Sequence, residues 1–512
     1  MRFWRRWNEP ARRCWLVAAL VAIPPLVLTL SPVYTRAENA AAPLLSTGSS
    51  GSQPAGSRPP PLDQHAKERA AFGDLERWVK EQGGTLGAVV LDLNSSKYWI
   101  SLAPKQPLNP ASNQKLLTAA VALDTLGAGY RYRTSLYGRL EQATVRELTL
   151  TGHGDPSLGS EDLWRLGRAL TAQGVKRIDG DLVVDQGRFD EAFEPPAYAQ
   201  QPGEWASFRA PVSAISVDQN TVTLNVLATE PGSPARLWFE PPGFVEIQGS
   251  VATRARGQGQ ELDWRLTPAA QGVRALLSGH VSAGQPRVRL VRRVADPRPI
   301  PGRVLGALLA EMGVEWSGKV RLGATSGGER LAYVTSPPLA QLLGELGKNS
   351  DNFYAEMIFK TLGEGTKGEP ATSEAAAQRV LAWLAKAGLV DPHTKVVNGS
   401  GLFDANRISA ELLAQLLGKV YLDPELGPDF VAHLAIGGVD GTLRSRFRGA
   451  ATRGRVRAKT GTLRNADTLS GYVLSSSGRL PLVFAVLVNG IDERHTAVRE
   501  RIDRAVSVLA EH

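Results

Sequence analysis

The sequence predicts an α+β fold in which one antiparallel sheet is built from both ends of a 512-residue chain. Two observations lead to this prediction. Pairs of strand-like segments joined by short polar turns occur at residues 85–102 and 469–488, and an amphipathic helix flanks each pair on its terminal side. Between them, residues 186–300 carry short strands separated by many Pro and Gly. We therefore expect a discontinuous domain interrupted by a β-rich insertion.

The first 37 residues have the composition of a secretory signal peptide. Five arginines precede an apolar run, Cys14–Leu30, and a small-x-small site ends at Ala37. An uncleaved membrane anchor is the alternative, but the run has 17 residues and contains Pro24-Pro25, so it is short for a span. We expect export, cleavage near Ala37 and no stable membrane span afterwards. Residues 38–62 are rich in Ala, Gly, Ser and Pro, which predicts a disordered linker.

The charge and cysteine content of the remaining chain exclude several function classes. Residues 1–37 hold six Lys and Arg and one Asp or Glu, so the formal charge falls from +9 to +4 without them. The sequence has no basic low-complexity arm and no stripe of alternating basic and aromatic residues, so we expect no nucleic-acid partner. The only cysteine is Cys14. We therefore expect the mature chain to lack disulfides, a thiolate nucleophile and a cysteine metal site.

The first folded elements are predicted to be a helix over Ala66–Gln82 and a hairpin of Thr85–Leu93 and Tyr98–Leu102. They lead to a stretch in which Ser112 and Lys115 are three positions apart, and therefore one turn apart on one face of a helix. Ser-x-x-Lys alone is common, so its significance depends on the rest of the chain.

The start and the burial of this helix can also be predicted. Asn109 suits an N-cap and Pro110 suits the first helical turn. Leu116–Leu123 is apolar apart from one threonine, which is typical of a helix surrounded by protein on all sides. The pattern places a hydroxyl at the positive end of a buried helix with an amine behind it.

The middle of the chain is predicted to be an insertion over residues 137–329, formed by one or two subdomains. Residues 63–136 and 330–512 would then form the discontinuous domain that carries Ser112 and Lys115. The elements predicted within the insertion are strands at Val145–Thr151, Lys176–Val184, Thr221–Ala228, Arg236–Glu240, Val245–Ala252, Leu262–Leu266, Gly272–Val281 and Pro286–Val291, and helices at Glu161–Gln173 and Ile300–Gly313.

The last part of the chain returns to helices and a second hairpin. Gly347 is predicted to be the C-cap of a helix over Leu339–Leu346. The other predicted elements are helices at Phe353–Leu362, Ser373–Ala387, Ser409–Leu422 and Arg494–Leu509, strands at Leu469–Leu474 and Leu480–Val488, and a tight turn at Asn398–Leu402.

Three triplets occur once each, in the order Ser-x-x-Lys, Ser-Asp-Asn and Lys-Thr-Gly. Ser112 is the predicted nucleophile, and Lys115 is its base if the amine is neutral. Lys459 is a second cation that would disfavour a proton on Lys115. Ser350 can relay a proton from Lys115 to a leaving amine.

The remaining predicted site residues suit a substrate peptide with a free carboxylate. Asn352 can hold Lys115 or a substrate amide. Thr460 and Thr462 supply hydroxyls beside the charge of Lys459, and Gly461 lets the strand backbone approach a ligand closely. An oxyanion hole would consist of the backbone N–H groups of Ser112 and Thr462.

Other hydrolase and metal chemistries have little support in the sequence. None of the seven histidines lies in a His-Glu-x-x-His motif, no serine lies in Gly-x-Ser-x-Gly, and no ligand cluster suggests a metal or cofactor. For His153 a structural role in a glycine turn is favoured, and for Asp155 a turn-forming role beside Pro156 is favoured over ligand binding.

Over about residues 65–510 the chain resembles class C low-molecular-mass penicillin-binding proteins, which are D-alanyl-D-alanine carboxypeptidases and endopeptidases. The resemblance rests on the three triplets and on Gly152–Leu158, Ala210–Ala214, Asn349–Glu356, Gly399–Leu402, Gly438–Leu443 and Leu469–Val473. It implies a serine β-lactamase-like domain with a large insertion. Ser112 and Ser350 are 238 positions apart, far more than in a β-lactamase.

The resemblance fails at one position. After Gly399-Ser400-Gly401-Leu402 the family often has Ser-Arg, and that arginine is implicated in holding the acidic side chain of the stem peptide. Here the residues are Phe403-Asp404. Recognition of a diaminopimelate carboxylate at this position is therefore in question, whereas the catalytic triplets are intact.

The resemblance implies an exported, periplasmic serine DD-peptidase of a Gram-negative-type envelope. Its partners would be peptidoglycan stem peptides and cross-links, and β-lactam antibiotics would acylate Ser112. A β-lactamase or esterase on the same scaffold and a non-catalytic wall-binding protein are the alternatives. The long insertion disfavours the first, and the intact Ser112, Lys115, Ser350 and Lys459 disfavour the second.

Overall fold

A computed structural model describes residues 65–269, 272–324, 327–365 and 368–511. The predicted signal peptide, 1–37, and the predicted linker, 38–62, lie outside the described residues. Among the helices in these four ranges, none is both long enough and apolar enough to cross a membrane.

The central sheet has six antiparallel strands and is built from both ends of the chain, as predicted. Its order is β16-β17-β18-β19-β1-β2, and Val89 pairs with Ala485 where the two ends meet. The strands are β1 (Thr85–Asp92), β2 (Lys97–Leu102), β16 (Ala435–Ile436), β17 (Val456–Leu463), β18 (Ala466–Val473) and β19 (Leu482–Asn489). Strands and helices are numbered in chain order.

Helices cover both faces of this sheet, since alternate residues of β19 are buried on opposite sides. Phe484 and Val486 pack with the terminal helices, and Val483 and Ala485 pack with the internal helices. The terminal helices are α1 (Ala66–Glu81) and α10 (His495–Val508); the internal helices are α2 (Gln114–Leu126), α5 (Leu339–Lys348), α6 (Asn352–Leu362), α7 (Ser373–Lys386), α8 (Ala410–Leu422) and α9 (Gly427–Ala432). The α+β prediction is confirmed.

The inserted region has its own apolar core. A mixed sheet of order β13-β5-β4-β3-β15, with β14 also on β5, is packed against helices α3 and α4. These elements are β3 (Arg133–Glu141), β4 (Thr144–Gly152), α3 (Ser160–Ala172), β5 (Arg177–Asp185), α4 (Ile300–Glu311), β13 (Glu315–Trp316), β14 (Val320–Leu322) and β15 (Glu329–Thr335).

Two smaller sheets complete the insertion. One has the order β12-β6-β7, and in the other β11 pairs with β8, β9 and β10. Their strands are β6 (Thr221–Leu227), β7 (Arg236–Glu240), β8 (Val245–Gly249), β9 (Ala252–Arg254), β10 (Glu261–Ala269), β11 (Gly272–Ser282) and β12 (Val288–Arg293).

The predicted domain boundaries at 136/137 and 329/330 fall within strands of the inserted sheet. β3 and β15 pair with each other, from Arg133 opposite Thr335 to Gly138 opposite Glu329. Because a strand's hydrogen bonds tie it to one sheet along its length, we propose that the insertion extends from about residue 133 to residue 335.

The C-cap predicted at Gly347 is wrong. The helix predicted to stop at Leu346 continues as α5 to Lys348, and Gly347 is therefore helical rather than a C-cap. A Cβ atom at Gly347 would lie 2.1 Å from the carbonyl oxygen of His433. The glycine is needed for close helix packing, a tertiary requirement that local sequence does not reveal.

Candidate active site

Ser112 and Lys115 lie at the start of α2, between the central sheet and the internal helices. Ser112 lies in a 3-10 turn, Ala111–Asn113, and α2 begins at Gln114, later than predicted. The Asn109 side chain accepts a hydrogen bond from the Ala111 N–H at 2.9 Å. Asn109 therefore binds the first backbone N–H of the 3-10 turn instead of one at the start of α2. Lys115 is completely buried, as predicted, whereas Ser112 is partly exposed.

The backbone before the nucleophile is strained. Ala111 has a φ of 46°, which is unfavourable for a residue with a Cβ atom. A Cβ atom on Gly401 would lie 1.8 Å from the Ala111 carbonyl oxygen, so the Gly399–Leu402 turn packs directly against this segment. Ser350, with a φ of 59°, is strained in the same way.

The Lys115 amino group contacts three oxygen atoms. Its Nζ donates to Ser112 Oγ at 3.0 Å, to Asn352 Oδ1 at 2.7 Å and to the Ser400 carbonyl oxygen at 2.8 Å. The Asn352 amide is oriented by the Phe208 carbonyl oxygen, which accepts from its Nδ2 at 3.0 Å. Asn352 therefore presents its oxygen to the lysine and its NH₂ group to the insertion.

Burial brings the pKa of Lys115 down from 10.5 to about 7, although the carboxylates of Glu356 and Asp351 oppose this shift. Glu356 is itself buried and accepts hydrogen bonds from the backbone N–H groups of Gly399 and Ser400. The sequence predicts a second cation, Lys459, as the cause of a neutral Lys115, whereas the structure gives loss of hydration on burial as the cause of the lowered Lys115 pKa.

Ser350 and Lys459 face each other across the site. Lys459 is completely buried on β17, and its Nζ donates to Ser350 Oγ at 2.7 Å and to the Thr460 carbonyl oxygen at 2.7 Å. Burial, and then the charge of Lys115, hold the pKa of Lys459 well below its usual range. In the part of the chain that is described, Ser350 shares no hydrogen bond with Lys115, its predicted proton donor.

The Lys-Thr-Gly triplet lies at an edge of the central sheet. β17 pairs with β18 from Val456 to Leu463, but β16 reaches β17 only at Arg457 and Ala458. Gly461 is buried, and a Cβ atom on it would lie 2.9 Å from the Ser112 backbone nitrogen. A glycine is therefore required for β17 to approach the nucleophile so closely.

The two threonines of this strand have different partners. Thr460 donates to the hydroxyl of Thr442 at 2.9 Å. Thr462 is exposed, and its Oγ1 accepts a hydrogen bond from Arg499 of α10 at 2.8 Å. The carboxylate of Asp467 lies opposite Thr462 on β18 and also binds Arg499.

The structure brings all eight predicted site residues to one place and adds groups that the sequence analysis missed. The Ser400 and Phe208 carbonyls act through the main chain and have no side-chain signature. The Asn349–Glu356 and Gly399–Leu402 stretches indicated the region of Glu356 and Ser400, but not their contact with each other. No motif pointed to Arg499.

Asp404 lies near this site, at the end of the turn that contains Ser400. It is exposed, forms an ion pair with Arg407 at 2.6 Å and accepts from Asn109 Nδ2 at 3.1 Å. The hydrogen bond from Arg407 lowers the pKa of Asp404. Its main chain is held by Gln200 of the insertion.

Asp155 accepts from the N–H and hydroxyl of Ser157, as expected for a turn-forming residue. No group of histidine, cysteine and acidic residues suited to a metal ion occurs in the described ranges.

Comparison with known proteins identifies relatives in sequence and in fold. The chain is 32% identical over 430 residues to "D-alanyl-D-alanine carboxypeptidase" of Actinomadura sp. (strain R39), covering 80% of this chain and 78% of the relative. It is 24% identical to "D-alanyl-D-alanine carboxypeptidase DacB" of Haemophilus influenzae, covering 81% and 88%. A crystal structure of penicillin binding protein 4 from Haemophilus influenzae matches with a TM-score of 0.71 at 23% identity, covering 84% of this chain and 98% of that one.

These comparisons agree with the fold and the reaction class predicted from the sequence. The family model "D-Ala-D-Ala carboxypeptidase 3 (S13) family" matches residues 75–512, which include the whole central sheet and the whole insertion. The chain therefore belongs to the D-Ala-D-Ala carboxypeptidase 3 (S13) family of serine peptidases.

Proposed function

We propose that Ser112 attacks the carbonyl carbon of a D-alanyl peptide bond and that Lys115 is its base. The observation that carries this proposal is the contact between the partly exposed Ser112 hydroxyl and the buried Lys115 amine, at 3.0 Å. Because burial brings the pKa of Lys115 to about 7, a large share of the lysine is neutral at neutral pH and can accept a proton. Asn352 and the Ser400 carbonyl hold the amine in place.

In the acylation step, the Ser112 proton moves to Lys115 as the bond from Oγ to the carbonyl carbon forms. The oxyanion is stabilised by the backbone N–H groups of Ser112 and Thr462. The proton would then pass through the Ser350 hydroxyl to the leaving amine as the carbon–nitrogen bond breaks, which requires Ser350 to exchange its hydrogen bond with Lys459 for one with Lys115 when substrate binds. Water hydrolyses the resulting ester and restores Ser112.

Lys459, Thr460 and Thr462 would bind the carboxylate of the leaving residue. A carboxylate beside Lys459 favours its charged form, and a charged Lys459 disfavours a proton on Lys115. Substrate binding would therefore increase the fraction of Lys115 in the neutral, basic form. The mutual repulsion of the two amines supplies this coupling.

The substrates would be peptidoglycan stem peptides ending in D-Ala-D-Ala and D-Ala-diaminopimelate cross-links. The enzyme would act on them in the periplasm after export. β-Lactams combine a reactive amide with a nearby carboxylate and would acylate Ser112. A structure of Haemophilus influenzae penicillin binding protein 4 "complexed with novel beta-lactam" matches this chain with a TM-score of 0.68. That likeness, at 22% identity, supports a shared fold.

Labelling with a fluorescent penicillin tests the nucleophile. We expect the wild-type chain and a Ser476→Ala control, altered on an exposed turn, to be labelled equally, and Ser112→Ala to be unlabelled. An unlabelled wild-type chain, or a labelled Ser112→Ala chain, would contradict the proposal.

Two further measurements distinguish the alternative functions. A peptidase would release D-Ala from a pentapeptide, whereas a β-lactamase would hydrolyse penicillin rapidly and release no D-Ala. A wall-binding protein would sediment with cell wall without being acylated.

A further inference from the structure

Thr462, the fourth residue of the Lys-Thr-Gly-Thr stretch, is held by a polar cluster on the C-terminal helix. His495 and Arg499 are one turn apart on α10. Both bind Asp467, which is 3% exposed: His495 Nδ1 lies 2.7 Å from Oδ2, and Arg499 Nε lies 3.1 Å from Oδ1. Arg499 thus has a fixed orientation although about a third of its side chain is exposed.

The second contact of Arg499 determines how the Thr462 hydroxyl can be used. Arg499 Nη2 donates to Thr462 Oγ1 at 2.8 Å, and a guanidinium group has no acceptor. Thr462 must therefore accept this hydrogen bond, which leaves its own proton available for an acceptor. Asp467 Oδ1 is 3.4 Å away, a long distance for a hydroxyl donor. A substrate carboxylate would be a better acceptor.

Charge provides a separate argument. Complete burial and the nearby charge of Lys115 both disfavour the protonated, positively charged form of Lys459. A guanidinium group stays charged at all physiological pH values and can bind a carboxylate through two parallel N–H donors. In the described part of the chain, only two of the Arg499 donors are used, by Asp467 and Thr462. The others are available to a ligand at the free edge of β17.

We propose that Arg499 is a substrate-binding residue that recognises the carboxylate of the leaving group together with Thr462. Asp467 and His495 are positioning residues that hold the guanidinium group over the edge of β17. This inference rests on the proposed function and deepens it. It adds a permanent cation to the carboxylate site, and that cation lies on α10, outside the three sequence motifs.

Penicillin G and its methyl ester provide a matched pair of probes, since they differ only in the carboxylate. Rates of Ser112 acylation would be measured by intact-protein mass spectrometry for wild type, Arg499→Gln and Arg499→Lys. Arg504→Gln is the control, because it removes the same charge from an exposed position of the same helix. A lost charge-assisted hydrogen bond corresponds to about a tenfold to hundredfold slower reaction.

We expect Arg499→Gln to slow acylation by penicillin G at least about tenfold and acylation by the ester less than about twofold, with Arg499→Lys intermediate. In the Arg499→Gln background, the further change Thr462→Val should slow acylation by penicillin G only slightly more, since both groups bind the same carboxylate. An equal loss for acid and ester, or no loss for the acid, would overturn the inference while leaving Ser112 as nucleophile. A wild-type chain acylated by neither probe would instead refute the proposed function, and the inference with it.

Discussion

The active site and the insertion both contain buried basic side chains, Lys115 and Lys459 in the first and Arg209 and Arg293 in the second, and these two pairs have different partners. Lys115 and Lys459 are completely buried and donate to side-chain oxygens of Ser112, Asn352 and Ser350. Each also donates to a main-chain carbonyl. The lysine pair therefore contacts the groups that would carry out the reaction.

The arginine pair of the insertion binds mainly the main chain of one loop. Arg209 is 1% exposed and donates to the carbonyl oxygens of Tyr198 and Glu204. Arg293 is 5% exposed and donates to the carbonyls of Glu204 and Pro202. The nearest carboxylate is that of Glu194, at 3.6 Å from Arg209 and 3.8 Å from Arg293.

The difference follows from the chemistry of the two side chains. A lysine can lose its proton when burial removes its hydration, whereas an arginine cannot. Buried lysines therefore suit proton transfer, and buried arginines suit permanent donors that satisfy carbonyl groups. Residues 198–208 form the loop that the two arginines bind, here called the arginine-held loop. It also reaches the site, because the Phe208 carbonyl orients Asn352 and the Tyr198 hydroxyl lies 3.5 Å from Ser400 Oγ.

The largest expected effect comes from removing the ability of Lys115 to lose a proton. Because the base must be neutral and its pKa is about 7, the acylation rate should fall as pH decreases through 7, approaching tenfold per unit below it. The Lys115→Arg variant should lose at least about 100-fold at every pH, since arginine stays charged. Fluorescent-penicillin acylation rates from pH 5 to 9 provide the measurement.

A pH-independent wild-type rate would contradict the role of Lys115, as would a Lys115→Arg chain that retains the wild-type profile. Lys386, an exposed lysine at the end of α7, offers the matched control, and Lys386→Arg should leave the profile unchanged.

A smaller effect is expected for the arginine-held loop. Arg209→Ala leaves buried carbonyls without donors, at about 1–3 kcal/mol each, so the free energy of unfolding should fall by about 3 kcal/mol. Because Arg209 follows Phe208, whose carbonyl orients Asn352, acylation should also slow, by about tenfold. Denaturant unfolding and acylation rates at neutral pH would measure the two effects.

Arg168→Ala, on an exposed position of α3, is the control and should change stability by less than about 0.5 kcal/mol. If Arg209→Ala lowered stability but acylated at the wild-type rate under native conditions, the loop would have no role in placing Asn352.

The site and the central sheet differ in how far the sequence could specify them. Ser112, Lys115, Ser350, Asn352 and Lys459 lie in short motifs, so residue type and spacing were sufficient to predict that they meet. The sheet was predictable because strand periodicity near both ends matched one antiparallel arrangement. Contacts made by main-chain carbonyls, such as that of Phe208, depend on the path of a loop and not on its side chains.

Long-range packing accounts for the remaining differences. Gly347 resembles a helix terminator in sequence, but the close approach of His433 requires a glycine inside α5. Arg499 is one of several arginines on an amphipathic helix, and its contact with Thr462 exists only after α10 has packed on the sheet. Strand β3 was not delimited in the sequence because its polar and apolar residues alternate irregularly around a bulge.

The smallest expected effect concerns Asp404, where the family often has an arginine. Asp404 is exposed and acidic, so it should repel a stem side chain that ends in a carboxylate by about 1 kcal/mol, about fivefold in rate. Asp404→Arg should therefore raise kcat/KM several-fold for a diaminopimelate stem relative to its amidated form. The ion pair with Arg407 already offsets part of the negative charge, which keeps the expected change small. Asp74→Arg, an equal charge change on α1, should leave the ratio of the two substrates unaltered. The same ratio in the wild type and in Asp404→Arg would mean that this turn does not contact the stem side chain.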